Sequence, residues 1–242
     1  MIDINCDMGE IDELLDNGTY EALMSYVTSI NVACGAHAGD ERMMRTMVKL
    51  AKKKNVKIGA HPSYPDRENF GRFDLDMSDE ELTSSISDQI VCLADIAAEQ
   101  NCSISHVKPH GALYNSAARN EKLATLIGDV IKSIDPSIPI MCLAGSQMVK
   151  TLKSMGMKVL PESFADRTYE PDGSLRKRTY SNALIVDPQV SSLQAYNISN
   201  NNKIIAHDGS EISIESKTLC VHSDTPDALV IAKAIKKKLN RS

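Results

Sequence analysis

Short apolar segments recur along this chain, and nearly every one runs into an ionisable residue at its C-terminal end. Candidate strands are Ile2 to Asp7, Ser29 to Cys34, Lys57 to His61, Ile104 to Lys108, Ile138 to Leu143, Lys158 to Glu162 and Thr218 to His222. Stretches with helical spacing separate them. The clearest spans Asp79 to about Gln100, opened by a Ser78/Glu81 capping box and carrying Leu82, Ile86, Ile90, Leu93 and Ala97 on one face. The last helix is predicted from Thr225-Pro226 to Leu239, with proline at its first position. Strands joined by helix-length connections imply a parallel sheet. No linker-like shift in composition divides residues 1–242, so one domain is expected. Seven units in this length fit an α/β fold, a single irregular seven-stranded (β/α) TIM-like barrel. The competing fold, an open doubly wound sheet, normally carries a glycine-rich first turn. Here that turn is Asp7-Met8-Gly9-Glu10, neither G-x-G-x-x-G nor a P-loop. A small hairpin is expected between Ser199 and Glu215, around Asn200-Asn201-Asn202 and Asp208-Gly209.

Composition narrows the function. Hydrophobic residues make up 42% of the chain and charged residues 24%, which supports a packed core. Aromatic residues are only 4% and the net charge is -5, a poor basis for nucleic-acid binding by stacking or a basic stripe. The one basic run, Lys236-Lys237-Lys238, ends a helical pattern, where the helix dipole favours cations. The six cysteines, Cys6, Cys34, Cys92, Cys102, Cys142 and Cys220, form no C-x-x-C pair and read as reduced, buried small hydrophobes. The N-terminus lacks the basic start and apolar run of a signal peptide, and no stretch reaches the roughly 20 apolar residues of a membrane span. A cytoplasmic protein with a small-molecule substrate is expected, bound to neither membrane nor nucleic acid.

Strand periodicity locates a site. In the first strand Ile2, Ile4 and Cys6 share one face, and Asp3, Asn5 and Asp7 the other. The apolar face suits the surrounding helices and leaves the polar face toward the barrel axis, where unpaired polar groups are costly. Strand two runs into Gly35-Ala36-His37. Strand three ends at His61. Strand four sets His106, Lys108 and His110 on one face. Strand six ends at Glu162, before Asp166-Arg167, and strand seven at His222-Ser223-Asp224. Barrel enzymes keep their active sites at this rim. Asp7, His61, Lys108, His110 and Glu162 are therefore the candidate catalytic residues. Other positions have plainer readings: His106 as a hydrogen-bonded core histidine, His207 as a turn residue, Asp3 as a partner of Asn5 or Lys57, Asp166-Arg167 as a local ion pair. His37 suits either a cap for the helix near Asp40 or a site residue. The long loops after strands three and six bring Arg72, Arg167 and Arg178, which suit bidentate contacts to anions.

Several strings resemble one family. They are Asn5-Cys6-Asp7-Met8-Gly9-Glu10, Asn31-Val32-Ala33-Cys34-Gly35, His37-Ala38-Gly39-Asp40, Gly59-Ala60-His61-Pro62-Ser63-Tyr64-Pro65-Asp66 and Phe70-Gly71-Arg72. His106-Val107-Lys108-Pro109-His110-Gly111-Ala112-Leu113-Tyr114-Asn115, Phe164-Ala165-Asp166-Arg167 and Cys220-Val221-His222 continue the pattern. Together they look like the LamB/YcsF family, the A subunit of bacterial 5-oxoprolinase, over nearly the whole chain. The resemblance implies a barrel related to the glycoside hydrolase/deacetylase superfamily. It further implies ATP-coupled opening of 5-oxo-L-proline to L-glutamate, and partner subunits B and C. The chain departs from the family pattern after Glu10, with Ile11-Asp12-Glu13 in place of a Ser-Phe-Gly segment, and it has no Trp. Ala36, Lys177 and Ser223 stand where an aromatic residue, Pro and Gly are usual.

On that resemblance, Lys108 with Arg72 or Arg167 would meet anionic groups, with Asn5 and Arg178 also in the substrate set. Asp7 or Glu162 would act as base or hold the Mg²⁺ of ATP, and His61 or His110 would shuttle protons. One alternative is a metal-dependent carbohydrate deacetylase or hydrolase with Asp7, His37 and His61 or His110 as ligands, although no compact H-x-x-x-H is present. Another is a non-catalytic ligand-binding subunit.

Overall fold

The structure is a computed structural model and describes residues 2–240. The chain runs β1 (Asp3–Met8), α1 (Asp12–Asp16), α2 (Thr19–Leu23), β2 (Ser29–Ala33), α3 (Glu41–Lys54), β3 (Lys57–His61) and α4 (Asp79–Glu99). It continues through β4 (Ile104–Val107), α5 (Gly111–Ala117), α6 (Glu121–Ile134), β5 (Ile140–Leu143), α7 (Gln147–Ser154) and β6 (Val159–Phe164). The last elements are α8 (Pro188–Ser199), β7 (Ile204–Ile205), β8 (Glu211–Ile212), β9 (Thr218–Cys220) and α9 (Ala228–Leu239). All seven expected strands form a closed parallel barrel in the order β1-β2-β3-β4-β5-β6-β9. Pairing of β9 with both β6 and β1 closes it, so the sheet has no free edge. β7 and β8 make the expected hairpin as a separate two-stranded sheet.

Local sequence explains the helix starts. Ser78 and Glu81 form the capping box of α4, and Asp40 caps α3 by accepting from the Met43 amide. His37 therefore does not cap that helix. The last helix corrects the expected start. It begins at Ala228, with Asp227 in the left-handed region at φ 59°. Thr225 does not cap it, because its hydroxyl donates to Asp166 at 2.8 Å. The cysteines also need correction. All six are free thiols, but Cys92 is exposed on α4 and Cys102 is half-buried.

The apolar core lies between strands and helices. Ile4, Cys6 and Met8 of β1 belong to it, with Ile30 and Val32 of β2, Met43 and Met47 of α3, and Ile86 and Ile90 of α4. The inward positions of the same strands are polar and satisfied by one another. Asp3 accepts from Thr28, Ser29 and Thr218, not from Asn5 or Lys57. Asn5 donates to Glu162 and Thr218. His106 bonds Asn31 at 2.7 Å and Ser105 at 2.8 Å, the satisfied core histidine expected. It fits because β3 carries glycine opposite: a Cβ on Gly59 would lie 2.0 Å from His106 Nε2. Among the described residues, no helix is long and apolar enough to cross a membrane.

Candidate active site

The strand ends converge where the pattern placed them. Lys108, one residue past β4, is buried at the axis. Its Nζ lies 2.9 Å from Asp7 Oδ1 of β1 and 3.0 Å from Glu162 Oε1 of β6. Asn31 also donates to Asp7, at 2.6 Å. Tyr114 of α5 closes the arrangement, its hydroxyl donating to Glu162 Oε2 at 2.7 Å. Burial opposes the charge on Lys108, but the Asp7 and Glu162 carboxylates outweigh it and hold the amine well above its usual range. Burial likewise opposes ionisation of Asp7, and Lys108 and His61 reverse that, so Asp7 stays ionised well below the usual carboxylate range.

A second cluster adjoins the first. His37, His61 and His110 surround the Glu10 carboxylate. Glu10 Oε1 lies 3.1 Å from His37 Nε2, 3.2 Å from His110 Nδ1 and 3.8 Å from His61 Nε2. The His37 and His110 rings stack at 3.7 Å, and His61 meets both edge-on. Burial pulls the His37 imidazole down to about 4. Burial acts the same way on His61, yet the neighbouring Asp7 overcomes it and raises the ring above its ordinary value. Burial disfavours the Glu10 carboxylate, but the adjoining His110 and His37 rings outweigh it and hold it below the usual carboxylate range.

Above these groups opens a cavity of about 650 Å³, lined by Asp7, Glu10, His61, Lys108, His110 and His222 below, and by the loops after β3 and β6 at its mouth. Arg72, Arg119, Arg167, Arg176, Lys177 and Arg178 all reach it. Arg72 and Arg178 share Asp224, at 3.3 and 3.2 Å. Arg167 is buried and held by the Ala183 and Arg176 carbonyls. Burial, then the nearby Arg178, lowers its guanidinium to about 10. On the far wall His222 Nδ1 is 3.0 Å from Asp166 Oδ1, and Phe164 stacks on its ring. Asp166 thus pairs with His222 rather than with Arg167. The cavity is a deep bowl with carboxylates and imidazoles at its floor and cations at its lip. Such an arrangement suits an anionic small molecule.

The sequence profile of the LamB/YcsF family matches residues 2–242. The chain belongs to the LamB/YcsF family. It is 43% identical to the 5-oxoprolinase A subunit of Chloroflexus aggregans, over 97% of this chain and 93% of that one. It is 42% identical to the 5-oxoprolinase A subunit of Halalkalibacterium halodurans, over 94% and 89%. Among solved structures, the lactam utilization protein from Thermus thermophilus superposes with a TM-score of 0.92 at 33% identity, covering 99% of this chain and 96% of that one.

In this LamB/YcsF chain the expected residues divide into groups with different surroundings. Asp7, His61, Lys108 and His110 line the cavity. Glu162 has no exposure, and both its oxygens are engaged by Asn5, Lys108 and Tyr114, which removes it as a base for water. Asn5 is equally buried beneath the floor and does not line the cavity. The candidate metal ligands fall in two adjoining groups, with Asp7 Oδ2 3.5 Å from His61 Nε2. His37 and His61 group with Glu10 and His110, whereas Asp7 groups with Cys220 and His222. Glu10, Tyr114 and the His222–Asp166 pair were not among the candidates. Strand alternation has no reach into Glu10, two residues past β1, or Tyr114, on a helix; His222 did carry the rim signal, at the end of its strand.

Proposed function

We propose that this chain is the A subunit of an ATP-dependent 5-oxoprolinase, opening 5-oxo-L-proline to L-glutamate together with subunits B and C. The observation that carries the reading is Lys108, fixed between Asp7 and Glu162 at the floor of a cavity whose lip is cationic. The names of the relatives supply the substrate; the cavity supplies the chemistry. A five-membered lactam is a poor electrophile. When bound, ATP would supply a phosphoryl group to the lactam oxygen and so activate the ring carbon for water; ring opening then breaks the C–N bond with a proton going to the nitrogen, and a second water releases the phosphate. Arg72 and Arg178 at the lip, with Arg167 behind them, would take the substrate carboxylate and the phosphoryl charge.

His222 is the better base for water. Asp166 holds its Nδ1, which leaves Nε2 for the cavity that His222 lines. An imidazole held by a buried carboxylate through one nitrogen is positioned to take a proton from water through the other. Asp7, firmly ionised and closed onto Lys108 and Asn31, is the weaker base; Lys108 would face the negative charge developing on the oxygen of the attacked carbonyl. Both Glu162 oxygens are engaged, and Asp7 is closed onto Lys108 and Asn31. This pair does not fit Mg²⁺. We assign the protein to the cytoplasm, an assignment the six free thiols support.

The test is a glutamate-release assay with 5-oxoproline and ATP, with and without subunits B and C. Glutamate is expected only with ATP and the partner subunits, and is expected to fall at least about 100-fold in His222→Ala. No glutamate in any combination of subunits would remove the reading.

A further inference from the structure

We propose that Glu10, His37, His61 and His110 form a binding site for one divalent first-row transition-metal ion. The inference rests on where hydrogens must be. His61 Nδ1 lies 2.7 Å from the Lys108 carbonyl, and His110 Nε2 lies 2.9 Å from the Phe70 carbonyl. A carbonyl oxygen only accepts, so both nitrogens carry hydrogen. In the neutral rings the other nitrogens, His61 Nε2 and His110 Nδ1, are therefore bare lone pairs, and they face each other at 3.0 Å. Ser63 Oγ donates to the Tyr64 carbonyl at 2.8 Å, which leaves it to accept from His37 Nδ1 at 2.9 Å. His37 Nε2 is then a third lone pair, 3.1 Å from Glu10 Oε1. Three nitrogen lone pairs and a carboxylate oxygen point at one spot with no hydrogen among them. Such facing acceptors repel unless a cation stands between them.

Geometry and charge agree. The four ligand atoms lie within 4.8 Å of one another. A tetrahedral ion with bonds of about 2.0–2.1 Å sets its ligands roughly 3.3–3.4 Å apart. The separations here are 3.0, 3.1, 3.2 and 3.8 Å. Outer N–H groups anchored on backbone carbonyls are the usual means of fixing a metal-binding imidazole. With the imidazoles neutral, the carboxylates of Asp7, Glu10 and Glu162 exceed the one ammonium among them, Lys108, by two charges. A divalent ion cancels that excess. The imidazole-rich set favours Zn²⁺, Co²⁺ or Ni²⁺ over Mg²⁺, which prefers oxygen. Gly71, at φ 63°, backs the cluster closely: a Cβ there would lie 3.0 Å from His110 Cδ2 and 3.0 Å from His37 Cβ. The site does not depend on the ring-opening reading, and either stands if the other fails.

Chelator-treated protein titrated with Co²⁺, followed by visible absorption, and with Zn²⁺, followed by calorimetry, tests the site. About one ion per chain is expected. Glu10→Gln and His110→Ala are each expected to weaken binding by about 100-fold, and His207→Ala, remote from the cluster, to leave it unchanged. Circular dichroism reports whether the variants fold. If they do not, nitrogen NMR of the wild-type imidazoles decides: Zn²⁺ is expected to shift His37, His61 and His110 and to spare His207. Less than about a tenth of an ion per chain would overturn the site, as would undiminished affinity in both folded variants. So would an imidazolium at His61 that Zn²⁺ leaves unchanged, because protons would then fill the gap.

Discussion

Lys108 Nζ stands 3.0 Å from Glu162 Oε1, and the Glu162 side chain has no exposure to solvent. Removing one partner of such a pair leaves an uncompensated charge in a low-dielectric interior. Lys108→Met is therefore expected to destabilise the fold by about 3–5 kcal/mol. Adding Glu162→Gln should recover part of that loss, since one of the two orphaned carboxylates, Asp7 and Glu162, is then neutral. Urea unfolding of the two variants checks this; equal midpoints for wild type and Lys108→Met would contradict the pairing.

Gly59 and His106 are expected to be coupled. A methyl group on Gly59 collides with the His106 ring inside the barrel. Gly59→Ala should cost stability by forcing that ring aside, and His106→Ala should relieve the clash while losing its own bonds to Asn31 and Ser105. A double-mutant cycle by thermal or urea unfolding is expected to show a coupling of about 1–3 kcal/mol. Simple additivity would mean that the ring is not confined there.

Asp166 sets an acid limb on stability. Burial opposes its ionisation, but the His222 ring and amide and the Thr225 hydroxyl prevail and depress its folded pKa. A depressed carboxylate binds fewer protons folded than unfolded. Its contribution is thus fully present above the unfolded value of about 3.9 and is lost as pH falls through the lower folded value. Asp166→Asn should flatten the acid side of the stability profile. Unfolding midpoints measured from acid to neutral pH would show it.

The lip cations are expected to act on binding more than on chemistry. Arg72 is half exposed and Arg178 about a third exposed, and both lean on Asp224. Arg178→Ala is expected to raise KM about tenfold with little change in kcat, the signature of binding shared by ground and transition states. Steady-state kinetics of the reconstituted complex, repeated at higher salt, reads this. A fall in kcat alone would place Arg178 at the reacting atoms instead.

Much of the site was legible in the sequence because period-two alternation carries it. Asp7, His61 and Lys108 fall on inward positions at strand ends, and the barrel delivers them to one cavity. Asn5 and Glu162 satisfied the same rule, yet both are sealed from the cavity. Alternation reports which way a side chain points; depth along the axis depends on strand stagger, which no single strand records. The Thr225 correction has a similar cause. A cap-like residue before proline is a local signal, and the distant Asp166 offers it a stronger partner.

Local signals were enough to establish that ionisable residues end nearly every strand of a (β/α) barrel, because strand periodicity and helix caps are written in neighbouring residues. What those ionisable residues do to one another was set by the three-dimensional fold. Glu10 meets three histidines drawn from separate segments, and Lys108 meets carboxylates from β1 and β6. The meeting of Asp7 and Glu162 on Lys108 depends on closure of the barrel by β9, which stands between β1 and β6. Charge pairing inside the barrel is a property of that closure, because the interactions act across space between residues far apart in the chain.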